Sequence, residues 1–316
     1  MTRNRTPRLT IGLPVYNGEE YLAESLDALL GQSFEDYELV ITDNASTDGT
    51  ADICKRYLAA DSRVSYHRLP HNIGAAGNHN HVFTLARGEL FKWASHDDLY
   101  GATLLERCVG FLDEHPEFVL AHSHNATIDS HGKIIEPYDY RIPTDSPSPS
   151  TRFRGLLHAP GGDDFYGVIR TAALRRVKPH DSYHHADRTF VMDMAMQGRF
   201  HQVPELLYFR RDHDTRAERA NPSIRSRCAN LDPRRAEGFN PAPRLLAEYA
   251  LGFAGVIQRA PISGAEKRRC YGHLADYLRS RVTRKVVSAD SRPAVAPREQ
   301  ILSIEGVVPG HGRVRS

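Results

Sequence analysis

The chain has 316 residues, about 40% apolar and 25% charged, the balance of an ordinary globular protein. It holds no apolar run long enough to span a bilayer, and its polar start, residues 1–8, has no signal-peptide pattern. The net charge of +2 hides an asymmetry: 19 Lys/Arg against 9 Asp/Glu from Thr215 onward, and 22 against 30 before it.

Residues 9–16 read as a buried strand ending at a loop, followed by a helix over 21–30 with Asn17 as a candidate N-cap. A second strand, 37–43, ends in Asp43. The Asp48-Gly49 turn then leads into a helix over 47–60. A third strand (64–69), a helix (74–86) and a fourth strand (89–94) continue the alternation. That order implies a mostly parallel sheet with ligands at the carboxyl ends of the strands. Pro14 to Tyr16, Asp43, Asn72 and Asp97-Asp98 all fall at such ends. Adjacent carboxylates repel unless a cation or ligand lies between them, so Asp97-Asp98 marks a binding site or else a solvated turn.

Beyond it the pattern predicts a helix over 104–114, a strand over 118–122, and a hairpin of 127–128 with 133–135. The Pro/Ser run at 143–150 reads as a flexible loop. Short helices at 153–157 and 171–177 flank the turn Gly161-Gly162-Asp163-Asp164. A helix over 186–197, strands at 198–203 and 206–210, and two amphipathic helices at 245–257 and 266–285 complete the reading. Three parts follow: 1–214, a helical extension over 215–287, and a tail over 288–316 with little fixed structure. The extension is basic, but its arginines are not interleaved with aromatics, which argues against nucleic acid. Its amphipathic helices suit a membrane surface, a dimer interface or an acceptor pocket alike. The four cysteines have no paired or zinc spacing and read as reduced thiols of a cytoplasmic protein.

Five segments carry a resemblance: Leu13-Pro14-Val15-Tyr16-Asn17-Gly18-Glu19-Glu20-Tyr21-Leu22, Ile41 to Thr50, His71-Asn72-Ile73-Gly74, Ser95-His96-Asp97-Asp98, and Ala186-Asp187-Arg188. In this order and spacing, over residues 9–213, the chain resembles the family 2 glycosyltransferases. The resemblance implies a GT-A fold: a Rossmann-like α/β sheet flanked by helices, here with a C-terminal helical extension. It also implies an inverting transfer of sugar from a nucleotide-diphosphate donor, UDP before dTDP or GDP. The acceptor would be a hydroxyl of a glycan, glycolipid or small molecule. No processive polysaccharide synthase is expected without a membrane span.

By the same resemblance Pro14, Tyr16 and Glu19 pack on the base and ribose, Asp43 reads a base N–H, and Asn72 helps hold the nucleotide. Asp97 is the direct ligand of a divalent cation, Mn²⁺ or Mg²⁺, with Asp98 supporting the ion or the ribose and His213 a second ligand. Ser95 stands where the family often has an acid. Asp187 is the catalytic base, preceded by Ala186 where a glutamate is common, or the N-cap of its helix. Asp163, Asp164 and His185 border the acceptor. The His184-His185 pair precedes the base, whereas His79 and His81 fall on opposite helix faces and make no metal pair. Nucleotidyl transfer would need a basic Gly-rich phosphate loop after the first strand, which Pro-Val-Tyr-Asn-Gly-Glu-Glu does not supply. The remaining alternative is a catalytically degenerate protein that binds a sugar nucleotide or a partner.

Overall fold

The computed structural model describes residues 6–138, 142–159, 163–183, 185–237, 242–283, 304 and 306–309. The elements in its first half are β1 (Leu9–Val15), α1 (Leu22–Leu30), β2 (Tyr37–Asp43), α2 (Thr50–Ala60), β3 (Val64–Arg68), α3 (Gly74–Thr84), β4 (Leu90–Trp93), β5 (Leu99–Tyr100) and α4 (Leu104–Glu114). Then come β6 (Phe118–Ile128), β7 (Ile134–Tyr138), α5 (Pro149–His158), β8 (Val168–Arg170), α6 (Thr171–Leu174), α7 (Ala186–Gln197) and β9 (Arg199–Arg211). The C-terminal helices are α8 (Ala217–Ala220), α9 (Ile224–Leu231), α10 (Arg234–Glu237), α11 (Ala242–Arg259) and α12 (Gly264–Thr283).

Among the described residues nine strands form one mixed sheet, ordered β3-β2-β1-β4-β8-β6-β9-β5, with β7 on β6. Its first four strands are parallel, as the βα alternation predicts. Every residue of β1 and β2 is buried, as befits parallel strands covered on both faces. Val15 lies opposite Asp43, so β1 and β2 end level and their following loops become neighbours. β4 stops opposite Gly12, and the Ala94 N–H donates to the Gly12 carbonyl at 2.9 Å. The acidic segment after β4 thereby emerges beside the loop after β1.

The second half departs from the sequence pattern where polar residues interrupt apolar runs. β6 continues through Ser123-His124-Asn125, and β9 through Pro204-Glu205, because register shifts there absorb the irregularity. Proline is tolerated in a sheet at such bulges. The two-residue β5 is too short to show periodicity; it is held by pairing of Leu99 with Phe209 and Tyr100 with Tyr208. The Pro/Ser run expected to be a loop contains a helix start instead. The Ser148 hydroxyl accepts from the Thr151 N–H at 3.4 Å, and Pro149 takes the first turn of α5.

The helical extension is not a separate core. Phe253, Val256 and Ile257 of α11 and Cys270, Leu274 and Tyr277 of α12 share one apolar cluster with Phe153 and Phe190. All four cysteines are free and buried. Most of the expected tail lies outside the described residues, but residues 304 and 306–309 do not behave as a free tail. Ile304 and Val308 are buried in the main core, and the Val307 carbonyl accepts from the Ala102 N–H at 2.8 Å. Local composition does not reveal that two apolar side chains in a Pro/Gly-rich stretch find a seat beside α1 and β5. Ending the chain at residue 303 should lower unfolding stability by about 2–4 kcal/mol, read from a urea midpoint, since each buried side chain of this kind contributes about 1.5–3 kcal/mol before the tail's ordering entropy.

Candidate active site

The loops after β1, β2, β3 and β4 meet in one cleft of about 1020 Å³, closed on the far side by the start of α7 and by α8 and α9. Pro14, Tyr16 and Glu19 line it from the β1 loop, and Tyr16 is 43% exposed, an aromatic face turned outward at a strand end. Asn17 adopts a left-handed conformation (φ 49°), with its N–H donating to Ser46 Oγ at 2.9 Å and its Oδ1 accepting from the Thr47 N–H at 2.9 Å. It serves the loop in this way and caps no helix, since α1 begins after Tyr21 without a side-chain cap. Glu19 Oε2 accepts from the Gly49 N–H at 3.0 Å, which cross-links the same two loops.

Asp43 is not on the cleft surface. It is fully buried, with Oδ1 accepting from the Ser46 N–H at 2.8 Å and Oδ2 from the Tyr66 hydroxyl at 2.7 Å. The adjacent Asn44 lines the cleft and ties Asn72 in place, donating to Asn72 Oδ1 at 3.0 Å. Asn72 Oδ1 also accepts from the Gly74 N–H at 2.8 Å, so its carbonyl is committed to the loop. Asn78, on α3, donates to the Thr42 carbonyl at 2.9 Å, while its buried Oδ1 has no hydrogen-bond partner among the described residues.

The acidic segment is held from behind. Arg211, 1% exposed, sends Nε to the Asp97 carbonyl at 2.9 Å, Nη1 to the Ser130 carbonyl at 2.9 Å and Nη2 to Glu24 at 2.7 Å. Asp98 is buried, accepting from the Arg211 N–H at 2.9 Å and from the Tyr208 hydroxyl. Burial and the neighbouring Asp97 carboxylate push its pKa up. Asp97 is driven the other way: burial opposes ionisation, but His96, His213, Ser95 and Arg216 together outweigh it. Ser95 Oγ donates to Asp97 Oδ1, and His213 Nε2 lies 3.0 Å from Oδ2. The serine at the place of a family acid thus keeps Asp97 oriented. His213 is itself held by Thr215 at 2.9 Å from Nδ1 and by the Tyr21 ring, 4.8 Å away between centroids.

One carboxylate and one imidazole side by side suit a divalent cation whose remaining ligands come from a bound phosphate. Among the described residues no three acidic, His or Cys side chains converge on a single metal position. Asp98 points its oxygens at Tyr208 and Arg211, away from such a role.

Asp187, in the first turn of α7, lines the same cleft as the Asp97–His213 pair. It is not the N-cap: His185 (φ 62°, ψ 29°) takes that position, exposed on the rim. Arg188 turns away and donates to the Ala159 carbonyl at 2.7 Å, fixing the end of α5. The backbone of Asp163–Tyr166 forms a 3-10 turn whose Phe165 and Tyr166 reach the cleft, while the side chains of Asp163 and Asp164 and all of His184 lie outside the described residues. His79 and His180 also line the wall, 5.7 Å apart between ring centroids. Burial holds both neutral, His79 down to about 4 and His180 well below its ordinary value. The α9 roof sits directly on α3: Gly74 has φ +82°, and a Cβ there would come within 2.3 Å of the Leu231 carbonyl.

The family model described as glycosyl transferase family 2 matches residues 10–180, which contain β1 through α6 and most of this cleft. The chain belongs to glycosyl transferase family 2. Among the relatives of this family 2 glycosyltransferase, EpsE of Bacillus subtilis (strain 168), named as a glycosyltransferase, is 29% identical over 195 residues, 61% of this chain and 67% of EpsE. The chain spans 52% and 44% of the length of two further curated relatives. The fold matches S. aureus TarS 1-349, solved with UDP-GlcNAc, with a TM-score of 0.61 at 19% identity over 86% of this chain and 71% of that one. The mannosyltransferase PcManGT from Pyrobaculum calidifontis, solved with GDP-Man and Mn²⁺, matches at 0.50 and 18% identity over 90% and 77%. This family 2 glycosyltransferase therefore has the GT-A fold expected of it. Among the described residues no helix is long and apolar enough to cross a membrane.

Arg211 is among the residues of this site that the sequence pattern leaves unremarked, with Asn44 and Asn78. Its signal is faint: an arginine at a buried register position of a strand, two residues after Phe209 and two before His213.

Proposed function

We propose that this glycosyltransferase moves a sugar from a nucleoside-diphosphate donor, UDP first among candidates, to an acceptor hydroxyl with inversion at the anomeric carbon. The observation that carries the reading is that a single cleft holds the exposed Tyr16 face, the Asp97–His213 pair and the Asp187 carboxylate. Tyr16 and Pro14 pack on base and ribose, and Asn44, Asn72 and Asn78 offer neutral hydrogen-bonding groups around them. Asp43, being buried and satisfied, supports the base site by holding the Ser46 loop rather than by touching the base.

Asp97 and His213 would hold a divalent cation, Mn²⁺ or Mg²⁺, between themselves and the diphosphate. When bound, such an ion stabilises the negative charge that develops on the leaving nucleoside diphosphate. Asp187 accepts the proton of the acceptor hydroxyl as its oxygen attacks from the face opposite the leaving group. His185, on the rim beside it, borders the acceptor. The neutral His79 and His180 and the rings of Phe165 and Tyr166 form the wall against which the sugar lies. The proposed setting is cytoplasmic, in keeping with four buried free thiols.

Ser95 and Ala186, at positions where the family often has acids, favour the second reading, a degenerate sugar-nucleotide binder. Differential scanning fluorimetry against UDP, dTDP, GDP and CDP, each with Mn²⁺, Mg²⁺ or EDTA, tests the donor site common to both. A native-state ligand at a hundredfold over its Kd adds about 2.7 kcal/mol of stability. A rise in Tm with one diphosphate that EDTA removes is the expected result, and no rise with any of the four overturns the donor assignment.

A further inference from the structure

The cleft is lined by more acids than bases. Glu19, Glu20, Asp48, Asp97, Asp181 and Asp187 border it, whereas among the described residues its lysine and arginine lining consists of Arg216 and Arg227. Burial keeps His79 and His180 neutral, so they add no positive charge. A nucleoside diphosphate is a polyanion, and it needs cations close by wherever it lies among carboxylates. Both arginines lie beyond residues 10–180, the part the family model matches, in the roof that α8 and α9 form.

Arg216 follows His213 by one tight turn. Its N–H donates to the His213 carbonyl at 3.2 Å and its Nη1 to the Arg211 carbonyl at 3.1 Å, which holds the guanidinium near the acidic segment. From there its charge favours the ionised forms of both Asp97 and Asp98.

Arg227 comes from α9, a helix opened by a capping box of Ser223 and Ser226 and seated through the buried Cys228. Arg227, Asn230 and Leu231 are spaced as neighbours on one helix face, and all three line the cleft. Arg227 Nε donates to the Asn221 carbonyl at 2.9 Å, and its two Nη groups have no partner among the described residues. Other arginines of this region are committed to carboxylates: Arg219 to Asp212 at 2.6 Å, Arg234 to Asp232 at 2.9 Å and Arg235 to Glu248 at 2.9 Å. A guanidinium offers a planar fork of N–H donors that matches two phosphate oxygens, so the open end of Arg227 suits a phosphate better than a neutral group.

We propose that Arg216 and Arg227 grip the phosphates of the donor from the roof of the cleft, so that the C-terminal helices complete the donor site. This rests on the donor reading of the cleft, and a comparison of UDP with uridine, which has the same base and ribose but no phosphate, separates the two.

Dissociation constants for UDP, by titration calorimetry, and for uridine, by ligand-detected NMR, are measured on the full chain in Mn²⁺. Arg216→Gln, Arg227→Gln and Arg225→Gln are compared with the parent. Arg225 is exposed on the same helix and donates to the Ala236 carbonyl, away from the cleft lining, so its replacement loses the same charge without the proposed contact. Arg216→Gln and Arg227→Gln should each weaken UDP binding by about tenfold or more, the loss of one hydrogen-bonding partner of a charged group, and leave uridine binding unchanged. Arg225→Gln should alter neither ligand. Unaltered UDP binding in either roof variant overturns the grip and leaves the donor reading standing. An equal loss for UDP and uridine overturns it too, since it marks a displaced roof rather than a lost phosphate contact. A parent that binds neither ligand overturns the donor reading and the grip with it.

Discussion

Asp187→Asn should lower kcat for sugar transfer by about a hundredfold to ten-thousandfold while leaving the UDP-induced rise in Tm unchanged. The amide keeps the size and the hydrogen-bonding reach of the carboxylate but cannot take a proton. A carboxylate of ordinary pKa, about 4, is a weak base in water, and its effect in a site comes from position. The position here is set by α7, whose first turn projects Asp187 into the cleft while Arg188 anchors the opposite side to the end of α5. A purely structural Asp187 would behave differently. As an acid in the first turn of a helix it stabilises the N-terminus by about 0.3–1 kcal/mol, so its loss would lower Tm slightly and leave kcat nearly intact. Transfer rate and melting temperature, measured on one preparation, separate the two. Unchanged kcat with a lowered Tm would remove Asp187 as the base and point to the degenerate reading that Ala186 invites.

The parts of this site that were legible in the sequence are those that local chemistry specifies. Strand ends followed by Pro-Val-Tyr-Asn, Thr-Asp-Asn and Asp-Asp mark a ligand rim, because parallel βα units place their loops on one edge. Pairing of β1 with both β2 and β4 then puts these loops side by side. What escaped the pattern depends on contacts distant in sequence. Asp43 looked like a ligand-reading acid, yet Tyr66, 23 positions away, covers it. Asn44, its neighbour, lines the cleft instead. Arg211 reaches the Asp97 carbonyl across 114 positions, and nothing in its neighbours announces the partner. The short β5 and the seat of Ile304 and Val308 are of the same kind: each is too brief to have a period and is stabilised by what lies opposite. Strands β6 and β9 were recognised in fragments, since a bulge looks like an end when only alternation is read.

Asp97→Asn should abolish the difference between Mn²⁺ and EDTA in the UDP melting experiment, and it should do so in a protein that still folds. The side chain and the main chain of Asp97 have separate partners: Ser95 and His213 face the carboxylate, whereas Arg211 holds the carbonyl. Replacing the carboxylate therefore leaves the Arg211 anchorage in place. It also removes a negative charge next to the buried Asp98, whose ionisation Asp97 opposes. The melting temperature without nucleotide is expected to fall modestly, because the favourable interactions of ionised Asp97 with His96, His213, Ser95 and Arg216 outweigh the relief given to Asp98. Asn Oδ1 still accepts from Ser95, but its amide donates toward His213 Nε2 and occupies the lone pair a cation would need. Both prospective ligands are thus lost through one substitution. A variant that still melts cooperatively, binds UDP only weakly and gives the same curve in Mn²⁺ and in EDTA meets the expectation. If EDTA still lowers its Tm in the presence of UDP, the ion is held elsewhere in the cleft. Asp97 would then orient His213 for the phosphate rather than ligate, a role that His213→Gln would expose by weakening UDP binding equally with and without metal.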